Sequence, residues 1–110
     1  MRIMVANEPR SYREVIAEVF QQLRPEHEVI LTMPDSLDAE IIRLDPHLVV
    51  CSQLSVAVQT HPFTWVLLYP GGETRVQICI NGQTMNEPGD IEFSNLITVV
   101  DRTARLMQQV

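Results

Sequence analysis

The 110-residue sequence predicts an α/β fold of the doubly wound class, with a sheet that is parallel in its N-terminal half and ends in an antiparallel β-meander. Three observations carry this. Short apolar runs alternate with segments of helical period through the first half of the chain. The third run, HLVVC, is apolar without a break, as in a strand covered on both faces. Beyond residue 63 the connectors become too short for a parallel return, which needs about a dozen residues or more. A chain of this length forms one domain, 1–110, able to bury a core without disulfides or metal as staples.

RIMVA (2–6) is suited to a buried first strand, and the Pro of the following NEP fits a helix's first turn. Tyr12, Val15, Ile16, Val19, Phe20 and Leu23 then recur at helical spacing, with Arg13, Glu14, Glu18, Gln21 and Gln22 on the opposite side. Pro25 stops this helix, and HEVILTM (27–33) supplies β-branched residues for a second strand. PDSLDAEIIRL (34–44) offers Asp35 or Ser36 as N-cap and Leu37, Ile41, Ile42 and Leu44 as an apolar stripe. After HLVVC, the segment 53–62 has room for a short helix only. FTWVLLY (63–69) is the fourth strand, with Trp65 in the core, and PGGET leads from it directly into RVQICI (75–80), so these two strands pair as a hairpin. Asn81-Gly82 signals a type I′ turn into a short strand beginning QTM. A Pro-Gly-Asp loop follows, and a last helix starts near Ser94, its N-cap candidate. Leu96, Val99, Val100, Ala104 and Met107 form the stripe of that helix. Ile97 and Leu106 widen it beyond one core contact and are the candidate interaction surface.

The formal net charge is −6, with eight Lys+Arg against fourteen Asp+Glu, and every basic residue is an Arg. That excludes the basic footprint which nucleic-acid binding requires. No apolar run approaches the about 18 residues of a membrane span, and the apolar part of MRIMVANEPR is too short for a signal peptide, so no membrane partner and a cytoplasmic setting are expected. Cys51 and Cys79 lie in apolar runs without metal-ligand or C-x-x-C spacing and read as reduced core thiols.

RIMVANEPRSYREVIAEVF resembles the opening of a response-regulator receiver domain, where a first strand ends in an acidic pair followed by Glu-Pro and the first helix. DPHLVVCS is similar to that family's third strand, which delivers the phosphoryl-accepting Asp. The likeness implies a flavodoxin-like, receiver-like sheet. Set on the family's pattern, Ala6 and Asn7 stand where the acidic pair belongs, Glu8 and Pro9 match, Ser52 stands at the acceptor, and Tyr69 falls at the switch position ending the fourth strand. The partner Lys-Pro has only Glu87-Pro88 as an echo, with the charge reversed, and the meander replaces the fourth helix. The carboxylates that receivers use for Mg²⁺ and phosphate are therefore missing, which implies a degenerate, pseudo-receiver-like domain without metal or cofactor.

Ser52 nevertheless falls outside the end of a central strand, where open α/β sheets keep their ligands. A nucleophile there would need a base. His27 and His47 flank the opposite ends of strands, and His61 has no acidic orienter. No G-x-S-x-G elbow, P-loop or G-x-G-x-x-G is present. The expectation is a protein that is not an enzyme: a phosphorylation-independent signal-transduction module acting through protein–protein interaction, with a second copy of the chain as one candidate partner. The rival is a small-molecule-sensing domain, or less readily an enzyme, with its pocket around Ser52.

Overall fold

The computed structural model describes residues 1–60, 64–88 and 91–108, so that His61 and the Gly89-Asp90 part of the predicted loop lie outside the described residues. In chain order the elements are β1 (Arg2–Ala6), α1 (Arg10–Leu23), β2 (Glu28–Leu31), α2 (Leu37–Leu44), β3 (Leu48–Cys51), α3 (Val56–Thr60), β4 (Thr64–Leu68), β5 (Arg75–Ile80), β6 (Gln83–Pro88) and α4 (Phe93–Met107). Single 3₁₀ turns at Pro34–Ser36 and Pro70–Gly72 precede α2 and β5.

The strands form one six-stranded mixed sheet in the order β2-β1-β3-β4-β5-β6. The pairs β1–β2, β1–β3 and β3–β4 are parallel, whereas β4–β5 and β5–β6 are antiparallel. Connector length decides this switch: the β4–β5 link has room for one tight turn, not for a crossover. Asn81 (φ 52°) and Gly82 (φ 81°) both take the left-handed conformation, as the type I′ turn between β5 and β6 requires. The returning strand extends beyond QTM to Pro88.

Alternation along each strand divides the interior in two, because successive side chains point to opposite faces. Ile3 and Val5 of β1, Leu48 and Val50 of β3, Val66 and Leu68 of β4, and Val76, Ile78 and Ile80 of β5 pack with Ile16, Ala17 and Phe20 of α1 and with α4. Met4 and Ala6, Val49 and Cys51, Trp65 and Leu67, and Cys79 pack with Leu37 and Ile41 of α2 and Val58 of α3. β3 and β4 are buried along their whole length, which explains their unbroken apolarity. Burying a side chain such as Phe20 or Ile41 contributes about 1.5–3 kcal/mol. Both cysteines are free and buried, and burial pushes the Cys51 thiol up to about 12, leaving it unreactive.

Several local expectations are corrected by packing. The broad stripe of α4 is absorbed by the core: Ile97 is 7 % exposed and Leu106 packs, partly buried, against the same cluster. Ile97 therefore belongs to the core, while Leu106 keeps part of its surface open. On α1, Arg13 is buried rather than solvated, while Tyr12, Val15 and Leu23 remain open. The Arg13 guanidinium donates to the Asn7 carbonyl at 3.1 Å and contacts Met33 Sδ at 3.6 Å, so its long stem lies over the core and its head reaches polar atoms. Pro9 occupies the N-cap position of α1 rather than its first turn, Glu92 rather than Ser94 is the N-cap of α4, and Ser36 precedes α2 without a side-chain cap bond. Ile42 faces solvent because α2 ends after two turns and only Leu37 and Ile41 meet the sheet squarely.

Candidate functional site

The C-terminal ends of β1, β3 and β4 open onto a cleft of about 540 Å³. Glu8, Pro9 and Tyr12 line it from the β1–α1 turn, Ser52 and Gln53 from the end of β3, and Tyr69, Gly71, Glu73 and Thr74 from the β4–β5 connection. Parallel strands bring their C-terminal ends to one edge, and neighbouring crossovers diverge there, which leaves a crevice between the loops.

Three of the five residues singled out in the sequence meet in this cleft: Glu8, Ser52 and Tyr69. Ser52 is 7 % exposed, and its hydroxyl oxygen accepts the backbone N–H of Glu8 at 3.1 Å, tying the β3 loop to the β1 loop. Asn7 is completely buried and does not line the cleft. Its side chain follows Ile3 and Val5 to the α1–α4 face and donates from Nδ2 to the Leu68 carbonyl at 3.1 Å, while Oδ1 has no partner among the described residues. Ala6 belongs to the opposite core and lines a separate cavity of about 150 Å³ beside α2. The one-residue alternation of a strand thus sends Ala6 and Asn7 to opposite faces. Glu87 and Pro88 end β6.

Tyr69 is held by tertiary contacts. It adopts a left-handed backbone (φ 54°), which is uncommon for a bulky residue, while its N–H donates to the Arg75 carbonyl at 2.9 Å. Its phenol oxygen accepts the N–H of Ile91 at 3.2 Å, and its ring lies 5.6 Å from that of Tyr12 at an interplanar angle of 35°. Gly71 also has positive φ (60°), so the Pro-Gly-Gly turn uses a backbone conformation suited to glycine. Tyr12 as a cleft wall was not read from the sequence, because its spacing matched the α1 stripe. Its place in the first turn after Glu8-Pro9 was the available signal.

No family model, curated protein or solved structure matches the chain. The residues themselves must decide what the cleft can hold.

The Mg²⁺ that receiver domains bind does not fit this donor set. A hard cation of this kind takes carboxylate oxygens in near-octahedral geometry. Here Ala6 has no donor atom, Asn7 is turned inward, Ser52 is neutral, and no group of three His, Cys, Asp or Glu able to hold a metal occurs among the described residues. Among the described residues no base is aligned on Ser52. His47 lies at the opposite edge, where its Nδ1 accepts the Arg2 N–H at 2.9 Å, and His27 Nδ1 is 3.3 Å from the N-terminal amine. Burial is the largest cause holding the His47 imidazole below its ordinary pKa. Among the described residues no helix is long and apolar enough to cross a membrane.

Proposed function

We propose that the chain is a non-catalytic, phosphorylation-independent regulatory module of degenerate receiver type, acting in signal transduction through protein–protein contacts. The observation that carries this reading is the state of Ser52. The residue at the acceptor position is a buried hydroxyl engaged by the Glu8 amide, with no carboxylate in place of the acidic pair. The parallel order β2-β1-β3-β4 supports the receiver-like, flavodoxin-like part of the reading, and β5 takes the next place in that order but runs antiparallel. Replacement of a fourth helix by β5 and β6 supports a contact surface different from that of a phosphorylated receiver. A second copy of the chain as partner is weakened by the burial of Ile97.

The test is an amide NMR titration with Mg²⁺ and then with beryllofluoride, a phosphoryl mimic. No displacement at Asn7, Glu8 and Ser52 is expected, and shifts clustered there would overturn the reading. One observation favours a second function, small-molecule sensing: the cleft beside Ser52 has a volume within the usual range for ligand sites, about 300–1,000 Å³.

A further inference from the structure

The geometry points to the cleft at the ends of β1, β3 and β4 as a site for an organic cation, a guanidinium or alkylammonium group, seated against the Tyr12–Tyr69 pair between the carboxylates of Glu8 and Glu73. The inference is independent of the receiver likeness, because it uses only the charge and shape of the cleft walls.

Among the described residues the lining has one sign of charge: Glu8 and Glu73 contribute carboxylates, and no described Arg or His lines the cleft. Arg75 is a counter-charge to Glu73: its Nε stands 3.9 Å from Glu73 Oε2 with both side chains more than half exposed, a separation that leaves the carboxylate able to accept a better donor. Arg10 is engaged with Glu14 at 2.8 Å. The whole chain carries −6, so the long-range field also favours cations.

Aromatic surface supplies the second half of the recognition. A guanidinium or ammonium is attracted by the negative face of a phenol ring within about 6 Å of its centroid. Two such rings lie 5.6 Å apart here, and Tyr12 remains 40 % exposed, so its ring is open to a ligand. The Ile91 N–H donates to the Tyr69 phenol and so orients that ring. Thr74, Gln53 and Ser52 add neutral oxygen acceptors around the carboxylates, matching the several N–H donors of such a group.

The opposing effect is the N-terminus of α1, which starts at Arg10 beside the cleft. A helix N-terminus carries about half a positive charge and by itself favours anions. Two full carboxylate charges outweigh it, and Pro9 removes one of the N–H groups that an anion would use.

The experiment is an amide NMR titration of the full chain with N-acetyl-arginine amide, with a Gly/Ser peptide carrying one central Arg, with benzyl alcohol, and with benzoate. Both Arg probes are expected to shift the amides of Glu8, Gln53 and Thr74. Benzyl alcohol and benzoate are expected to leave them in place. Tighter binding of the peptide than of N-acetyl-arginine amide would identify a protein segment as the source of the cation, and weaker binding of the peptide would identify a free small molecule. Glu8→Gln and Glu73→Gln, both at exposed positions, should each weaken the Arg probe about two- to five-fold. Tyr12→Leu should weaken it by a similar factor, and raising salt from about 50 to 300 mM should weaken it further. Equal binding of benzoate, no shift at these amides with either Arg probe, or affinity unchanged in the double Glu variant would overturn the inference. The beryllofluoride titration reports separately on the receiver-type reading, so either can fail without the other.

Discussion

Asn7→Asp would place a carboxyl group just beyond the end of β1, and its consequence for stability can be worked from the surroundings. Asn7 is fully buried, and its amide nitrogen donates to the Leu68 carbonyl at 3.1 Å. An ionised carboxylate there would set an acceptor against an acceptor, away from water, whereas a protonated one could donate its O–H to the same carbonyl. Burial of this degree raises a carboxyl pKa by about 3–5 units. The folded variant would therefore hold its proton more tightly than the unfolded chain, and stability relative to the parent should fall as pH rises above the unfolded value of about 3.9. The loss is about 1.4 kcal/mol per pH unit, reaching about 4 kcal/mol at pH 7. That is a large part of the about 5–15 kcal/mol available to a small domain. Arg13 is the counterforce, since its guanidinium contacts the Asn7 carbonyl. However, that guanidinium also touches Met33, which follows β2, while Leu68 ends β4 on the other side of β1. The side chain at position 7 thus bonds toward β4, whereas the guanidinium meets the backbone carbonyl. Urea denaturation of parent and variant between about pH 5.5 and 8 measures the difference. A difference that stays constant, or shrinks as pH rises, would refute the reasoning and mean that Arg13 or another donor accommodates a charge at position 7.

Other consequences follow from single contacts. Thr103 Oγ1 lies 3.0 Å from Thr64 Oγ1 and 2.9 Å from the Val99 carbonyl, both threonines being buried; having one proton, it donates to Val99 and accepts from Thr64. Thr103→Val should cost about 1–3 kcal/mol, and Thr64→Val combined with it should cost less than the sum of the two single changes, read from a double-mutant denaturation cycle; strict additivity would contradict the bond. Because Ile97 is core, Ile97→Ala should lower stability by about 2–4 kcal/mol and leave the mass in light scattering unchanged. A variant that changed mass without losing stability would return α4 to the role of an interface. Burial, and secondarily the N-terminal charge, depresses the His47 pKa against the opposing pull of Asp45. Its contribution is complete above about pH 6.5 and lost as pH falls through the lower folded value. His47→Gln should flatten the stability profile in that window, and an unaltered slope would show that another group controls it.

How much was legible in the sequence differs by element. The strand and helix order could be read because hydrophobic period reports local conformation. The antiparallel end of the sheet could be read for a geometric reason: PGGET cannot reach back across the sheet, and Asn-Gly fits positive φ at both central positions. The site was legible in part, since any residue just beyond a parallel strand arrives at the same edge, as Glu8, Ser52 and Tyr69 do. Period reports which residues share a face but not what lies opposite. That is why Arg13, on the polar side of α1 by spacing, proved buried over the core.

The sequence by itself determined the class of fold, the parallel-to-antiparallel switch, the buried character of β3 and β4, and the absence of the carboxylates on which receiver phosphorylation depends. These are properties of short segments and of chain reach. Tertiary structure alone decided that the Ser52 hydroxyl meets the Glu8 amide, that Asn7 turns inward to Leu68, that Ile97 is filled over, and that Tyr12 and Tyr69 stand together beside the acidic walls of one cleft. Each of those contacts joins residues from different elements. Their geometry is fixed by how helices and connections pack on the sheet, a long-range outcome that no local period encodes.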